Sequence, residues 1–136
     1  DIKKIRLEKM LICKYRLSGK KNTNNNLRNI YAGMPYCHNA IIFKVNHLRY
    51  TEKFSISSDY DYFLKFLKYE QINLLKKENF NKKITIVFES ESGVSTRSFF
   101  KKNYENLSII LKNQGLKYIF VYIFLNIKKL IKRTYV

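Results

Sequence analysis

A chain of 136 residues carrying 27 Lys and Arg against 10 Asp and Glu has a formal charge of +17. That is length for one hydrophobic core, and too much like charge for a surface with no partner, so a polyanion is implied. Two cysteines give no disulfide framework, and Lys and Arg interrupt every apolar run near the start, so no secretory signal is expected from these residues.

The usage is skewed, with 16 Ile, 14 Asn, 11 Tyr and 10 Phe against 2 Ala, 4 Gly, 1 Pro and no Trp. The abundant residues have AT-rich codons, as in many organellar genomes. Codon bias inflates lysine but does not explain the shortage of acids. The chain opens at Asp1, so a processed or incomplete start is expected. Residues 1–30 hold nine basic and two acidic residues, and 126–136 hold four basic and none acidic. The pattern is a folded body with basic arms: an N-terminal extension over 1–26, a single α/β domain over 27–125 and a basic tail over 126–136.

In chain order, Ile5, Leu7, Met10, Leu11 and Leu17 allow a short helix within the extension, and Ser18 to Asn26 is a polar, loop-forming tract. Asn29 to Gly33 is a first strand, ended by Met34-Pro35. Ala40 to Asn46, β-branched and aromatic, is a second, and Lys53 to Ser57 a third. Tyr60, Phe63, Leu64, Leu67, Gln71, Leu74 and Leu75 then recur at three- and four-residue spacing, predicting an amphipathic helix of roughly 18 residues. Ser58 and Asp61 offer it a capping-box-like start, and Asn79 and Asn81 its end. Ile84 to Glu89 is a fourth strand, followed by a polar turn around Gly93. A second helix places Phe100, Tyr104, Leu107 and Leu111 on one face and stops at Gly115. Tyr118 to Leu125, eight apolar residues without alternation, fits a fifth strand covered on both faces. The expected architecture is a mixed sheet of about five strands with two helices, in the order strand, strand, strand, helix, strand, helix, strand. The last two strands are then parallel neighbours joined by the second helix.

Several segments resemble the universal small-subunit ribosomal protein eleven, the platform protein. They are Cys37-His38-Asn39-Ala40-Ile41-Ile42 at a first hairpin, Ser55-Ile56-Ser57-Ser58-Asp59 before Phe63, Ile84 to Glu89 with Gly93 and Arg97, Gly115-Leu116-Lys117, and the basic end from Lys128 to Val136. The resemblance covers about residues 27–136. The family's glycine-rich turn keeps only Gly93 here, and its His-Asn-Gly-Cys-Arg segment is replaced by Asn126-Ile127. It implies a structural constituent of the small ribosomal subunit of an organelle, a mitochondrion by its composition. Its partners would be small-subunit rRNA at the platform, neighbouring ribosomal proteins and mRNA close by. A second resemblance, over 84–123, is to the thioredoxin-like family shared by a mitoribosomal large-subunit protein and a respiratory complex I subunit, through a strand, a polar loop, Arg97 with Phe99, a helix and a strand.

The RNA-binding residues expected are Lys20 and Lys21 in the extension; His38 and Asn39 in the hairpin; Ser57 and Ser58; Arg97, placed to join a guanidinium to helix N–H groups at a phosphate; and Lys128, Lys129, Lys132 and Arg133, able to follow a phosphate backbone. Alternating basic and aromatic residues suit base stacking wherever the rings are exposed. No enzyme, metal or cofactor is expected. Cys13, Cys37, His38 and His47 lack zinc spacing. Asp59, Asp61, Glu89 and Glu91 fall short of a two-metal nuclease set, and Gly93-Val94-Ser95 is not a nucleophile elbow. No membrane partner is expected either, for want of a long amphipathic basic helix.

Overall fold

The structure, a computed structural model, describes residues 9–17, 29–72, 80–88 and 98–134. Strand β1 is Met10–Leu17, β2 Ile41–Phe43 and β3 Phe80–Phe88; helix α1 is Ser58–Tyr69, α2 Phe99–Gln114 and α3 Lys117–Thr134. The sheet order is β2-β1-β3. β2 lies antiparallel to β1, with Met10 opposite Phe43 and Ile12 opposite Ile41. β3 lies parallel to β1, from Ile12 opposite Phe80 to Leu17 opposite Phe88, with an irregularity at Cys13/Lys14.

This overturns the expectation of five strands and two helices. Among the described residues the mixed sheet has three strands, beside three helices. Its middle strand, Met10–Leu17, comes from the stretch expected to be an extension. Met10, Ile12 and Cys13 are buried while Arg16 is exposed, so the strand enters the core at one end only and shows no clean alternation. Asn29 to Gly33 is instead a 3-10 turn over Ile30–Ala32, with the Asn29 side chain accepting from the Tyr31 N–H at 2.9 Å. Lys53 to Ser57 pairs with no strand; the N–H groups of residues 55–57 go to a carboxylate. The largest difference is at 118–125, which is helix and not strand. The expected parallel pair of 84–89 with 118–125 therefore does not exist, and both resemblances drawn from sequence assumed that last strand. A short apolar run cannot distinguish a buried strand from a helix. The spacing of Phe120, Ile123, Phe124, Ile127 and Ile131 continues the helical period to the end of α3. The segment 126–136, expected as a tail, lies within α3 as far as Thr134.

Helix α1 is the centre of the core. Tyr60, Tyr62, Phe63, Leu64 and Phe66 are all buried and cluster with Met10 and Ile12 of β1, Ile41 of β2, Ile109 and Ile110 of α2, and Tyr122 of α3. Phe43 meets Tyr62 and Phe66 edge-on, at 5.2 and 4.8 Å between centroids, a favoured aromatic geometry. The helix is shorter than the spacing predicted: it ends at Tyr69, and Gln71 takes φ 52°. Lys9 binds the Glu70 carbonyl at 2.6 Å, tying the entry of β1 to the exit of α1.

Helix α2 is turned round relative to its apolar stripe. Glu105, Asn106, Ile109 and Ile110 face inward, whereas Phe100, Tyr104 and Leu111 face solvent. One cause is visible at the start of α1. The capping box expected from Ser58 and Asp61 is absent, and Ser57 at the cap position makes no side-chain cap bond. Instead the buried Glu105 carboxylate accepts the N–H groups of Ser55, Ile56 and Ser57 at 3.1, 2.9 and 2.8 Å, and the Ser55 hydroxyl at 3.2 Å. A carboxylate at a helix N-terminus satisfies orphan donors and complements the dipole. Helix α2 has to point this residue at α1.

Candidate nucleic-acid interface

Among the described residues two acids, Asp61 and Glu105, are drawn into the core. Asp61 is fully buried: Lys65 reaches its Oδ2 at 2.6 Å, Asn113 donates to its Oδ1 at 3.0 Å, and the Thr51 hydroxyl donates to Oδ2. Burial alone would push the Asp61 carboxyl up, but these hydrogen bonds outweigh it and hold it below its ordinary value. Glu105 behaves alike: burial raises it, and the backbone N–H groups of Ile56, Ser57 and Ser55 bring it below the usual carboxylate value. Asp59 lies 3.0 Å from His38 Nδ1, and Glu70 lies 3.8 Å from Lys9.

The basic residues are left outside. Lys9, Arg16, Lys44, Arg49, Lys53, Lys68, Lys101, Lys102, Lys112, Lys117 and Lys128 are exposed, while the one exposed carboxylate among the described residues is Glu52. Of these cations only Lys9 pairs with an acid of the described set. Over the described residues the exposed charge is thus almost wholly positive, the footprint of a phosphate-backbone binder.

Aromatic rings stand among these cations. Phe100 is 88% and Tyr104 70% exposed, four residues apart on α2, with Lys101 and Lys102 exposed between them. Phe99 meets Phe100 edge-on at 5.6 Å. Lys117 Nζ sits 4.9 Å from the Tyr118 ring centroid, and Tyr118 stacks on Tyr31 at 4.2 Å. Exposed rings beside lysines can stack on unpaired bases while the cations hold phosphates. Expecting Phe100 and Tyr104 on one helix face gave their spacing, but no local signal showed that the face looks outward.

The expected RNA-binding residues are scattered. His38 and Asn39 are exposed in the 3-10 turn His38–Ala40, where His38 engages Asp59. Ser57 is buried with its N–H committed to Glu105, so it cannot reach RNA, and Ser58 is half-buried as the first residue of α1. Lys128 is exposed on α3. Lys129, Lys132 and Arg133 belong to the same helix, though their side chains lie outside the described residues. Lys20, Lys21 and Arg97 lie outside them altogether. Among the described residues no group of three His, Cys, Asp or Glu side chains could hold a metal.

Compared with known proteins, the chain matches no family model, no curated protein and no solved structure.

Proposed function

We propose that this chain is a structural RNA-binding protein of a ribonucleoprotein particle, the small ribosomal subunit of an organelle, a mitochondrion by composition. The observation that carries the proposal is the sorting of charge: exposed lysines and arginines outnumber exposed acids eleven to one over the described residues. Neutralising phosphates releases condensed counterions, so such a surface gains affinity for RNA without a shaped pocket. The Phe100–Tyr104 face adds rings that can stack on unpaired bases. Assignment to the small subunit rests on the sequence motifs alone. The element order here differs from the one that resemblance implies, and Gly115-Leu116-Lys117 lies at the turn between α2 and α3. Small-subunit rRNA and neighbouring ribosomal proteins are the proposed partners, and no catalytic step is proposed.

Sedimentation of organelle lysate in a gradient, with the chain followed by antibody, tests this. Co-migration with small subunits that is lost after ribonuclease treatment is expected. Migration with large subunits would reassign the particle, and free migration before ribonuclease would remove the proposal.

A further inference from the structure

Helix α3 presents to solvent the apolar stripe that a core helix would bury. Phe120 is 70% and Phe124 65% exposed, and Ile123, Ile127 and Ile131 are exposed on the same side. Tyr122, on the opposite side, is buried and donates to Asn103 of α2. Helix α3 thus docks on the described body by its other face. Phe120 to Ile131 spans about 16 Å at 1.5 Å per residue, and rows of exposed large apolar side chains on this scale mark interaction sites. RNA leaves it unexplained, since isoleucines have no ring to stack on bases.

We propose that α3 lies on the surface of an anionic membrane, its Phe and Ile stripe sunk to the boundary between headgroups and acyl chains. Charge complementarity selects this occupant. The helix contains Lys117, Lys128, Lys129, Lys132 and Arg133 and no Asp or Glu, and the exposed Lys117 and Lys128 fall beside the stripe at about 60–80° from Phe120 around the helix, at 3.6 residues per turn. Such cations keep their heads among anionic phosphates while the stripe enters the acyl boundary. Shape agrees. The stripe is a ridge of projecting side chains, and a cleft lined by Ile30, Leu67, Gln71 and Gln114 lies elsewhere. A bilayer accepts a convex apolar ridge, whereas a protein partner needs a matching groove. A second copy would bring two chains of +17 together. No described helix is long and apolar enough to cross a membrane, so the mode is surface-lying. Helix α3, 18 residues long, is the amphipathic basic helix not expected from the sequence. The proposal does not depend on RNA binding.

The chain has no tryptophan, so the full-length Phe124→Trp variant is a single-site probe. With vesicles of equimolar phosphatidylcholine and phosphatidylglycerol its emission should shift to the blue and be quenched by brominated acyl chains. The double variant Phe120→Asn/Phe124→Asn should keep its melting temperature, because both rings are exposed, and lose partitioning on the order of a hundredfold. Sedimentation with vesicles that vanishes at high salt, with unshifted tryptophan emission, would mean that the +17 charge merely adheres, and would overturn the proposal. So would full partitioning of the double variant. Dimerisation of the free chain that the double variant abolishes, without an emission shift on vesicles, would assign the stripe to a second copy instead.

Discussion

Replacing Glu105 with alanine should destabilise this protein more than any surface change, because one carboxylate closes a loop of backbone donors almost fifty residues away. Its oxygens accept three N–H groups and one hydroxyl at 2.8–3.2 Å, and the residue is 4% exposed. Ser55 is exposed and can turn to water, but Ile56 is half-buried and Ser57 buried. Two donors therefore lose their acceptor without replacement, at about 1–3 kcal/mol each. The total is about 2–6 kcal/mol, at or above the usual loss of a helix cap. At about 3–5 °C per kcal/mol for a chain of this size, the melting temperature should fall by about 6–30 °C. Glu105→Gln keeps one acceptor oxygen but turns an amide NH2 toward other donors, and should lose about half as much. Circular dichroism melts and urea titrations of both variants measure this. An alanine variant melting within about 2 °C of the parent would show that water serves these donors, and the capping account would be wrong.

Asp61 and Glu105 both have folded-state pKa values below their unfolded ones, so their stabilisation is complete above about pH 4.5 and is lost as pH falls through the folded values; the acid limb of a stability–pH curve should flatten in Glu105→Gln. Gly33 has φ 106°, and a Cβ there would lie 3.1 Å from Asn106 Nδ2, so Gly33→Ala should cost about 1–2 kcal/mol in urea unfolding. Phe100→Ala/Tyr104→Ala removes only exposed rings; affinity for single-stranded RNA should drop at least about tenfold in anisotropy titrations while duplex binding changes little.

Some of this was legible in the sequence. The α1 stripe of Tyr60, Phe63 and Leu64 is core because its apolar residues recur at helical spacing, a signal local to one helix. The charge excess was legible, but its sorting was not: Glu105 and Asp61 turn inward only because partners at positions 55–57, 51 and 113 arrive from other elements. Met10–Leu17 was hidden because its buried and exposed ends give mixed periodicity, and a central strand is recognised only with its neighbours in place. At 118–125 the apolar residues fill both helical and strand periods, and only with Ile127 and Ile131 beyond them does the helical spacing stand out. The outward face of α2 follows from Glu105 needing to face α1, a tertiary demand that overrides the amphipathic stripe.

The salt dependence of RNA affinity tests the central claim most directly. Equilibrium binding of the purified chain to a structured rRNA fragment, measured across a series of monovalent salt concentrations, gives log K against log salt. A surface engaging five or more phosphates at about 0.7–0.9 per contact predicts a slope of about −4 or steeper. A slope shallower than about −1, or no binding at low salt, would show that the exposed cations do not meet a phosphate backbone, and would contradict the account.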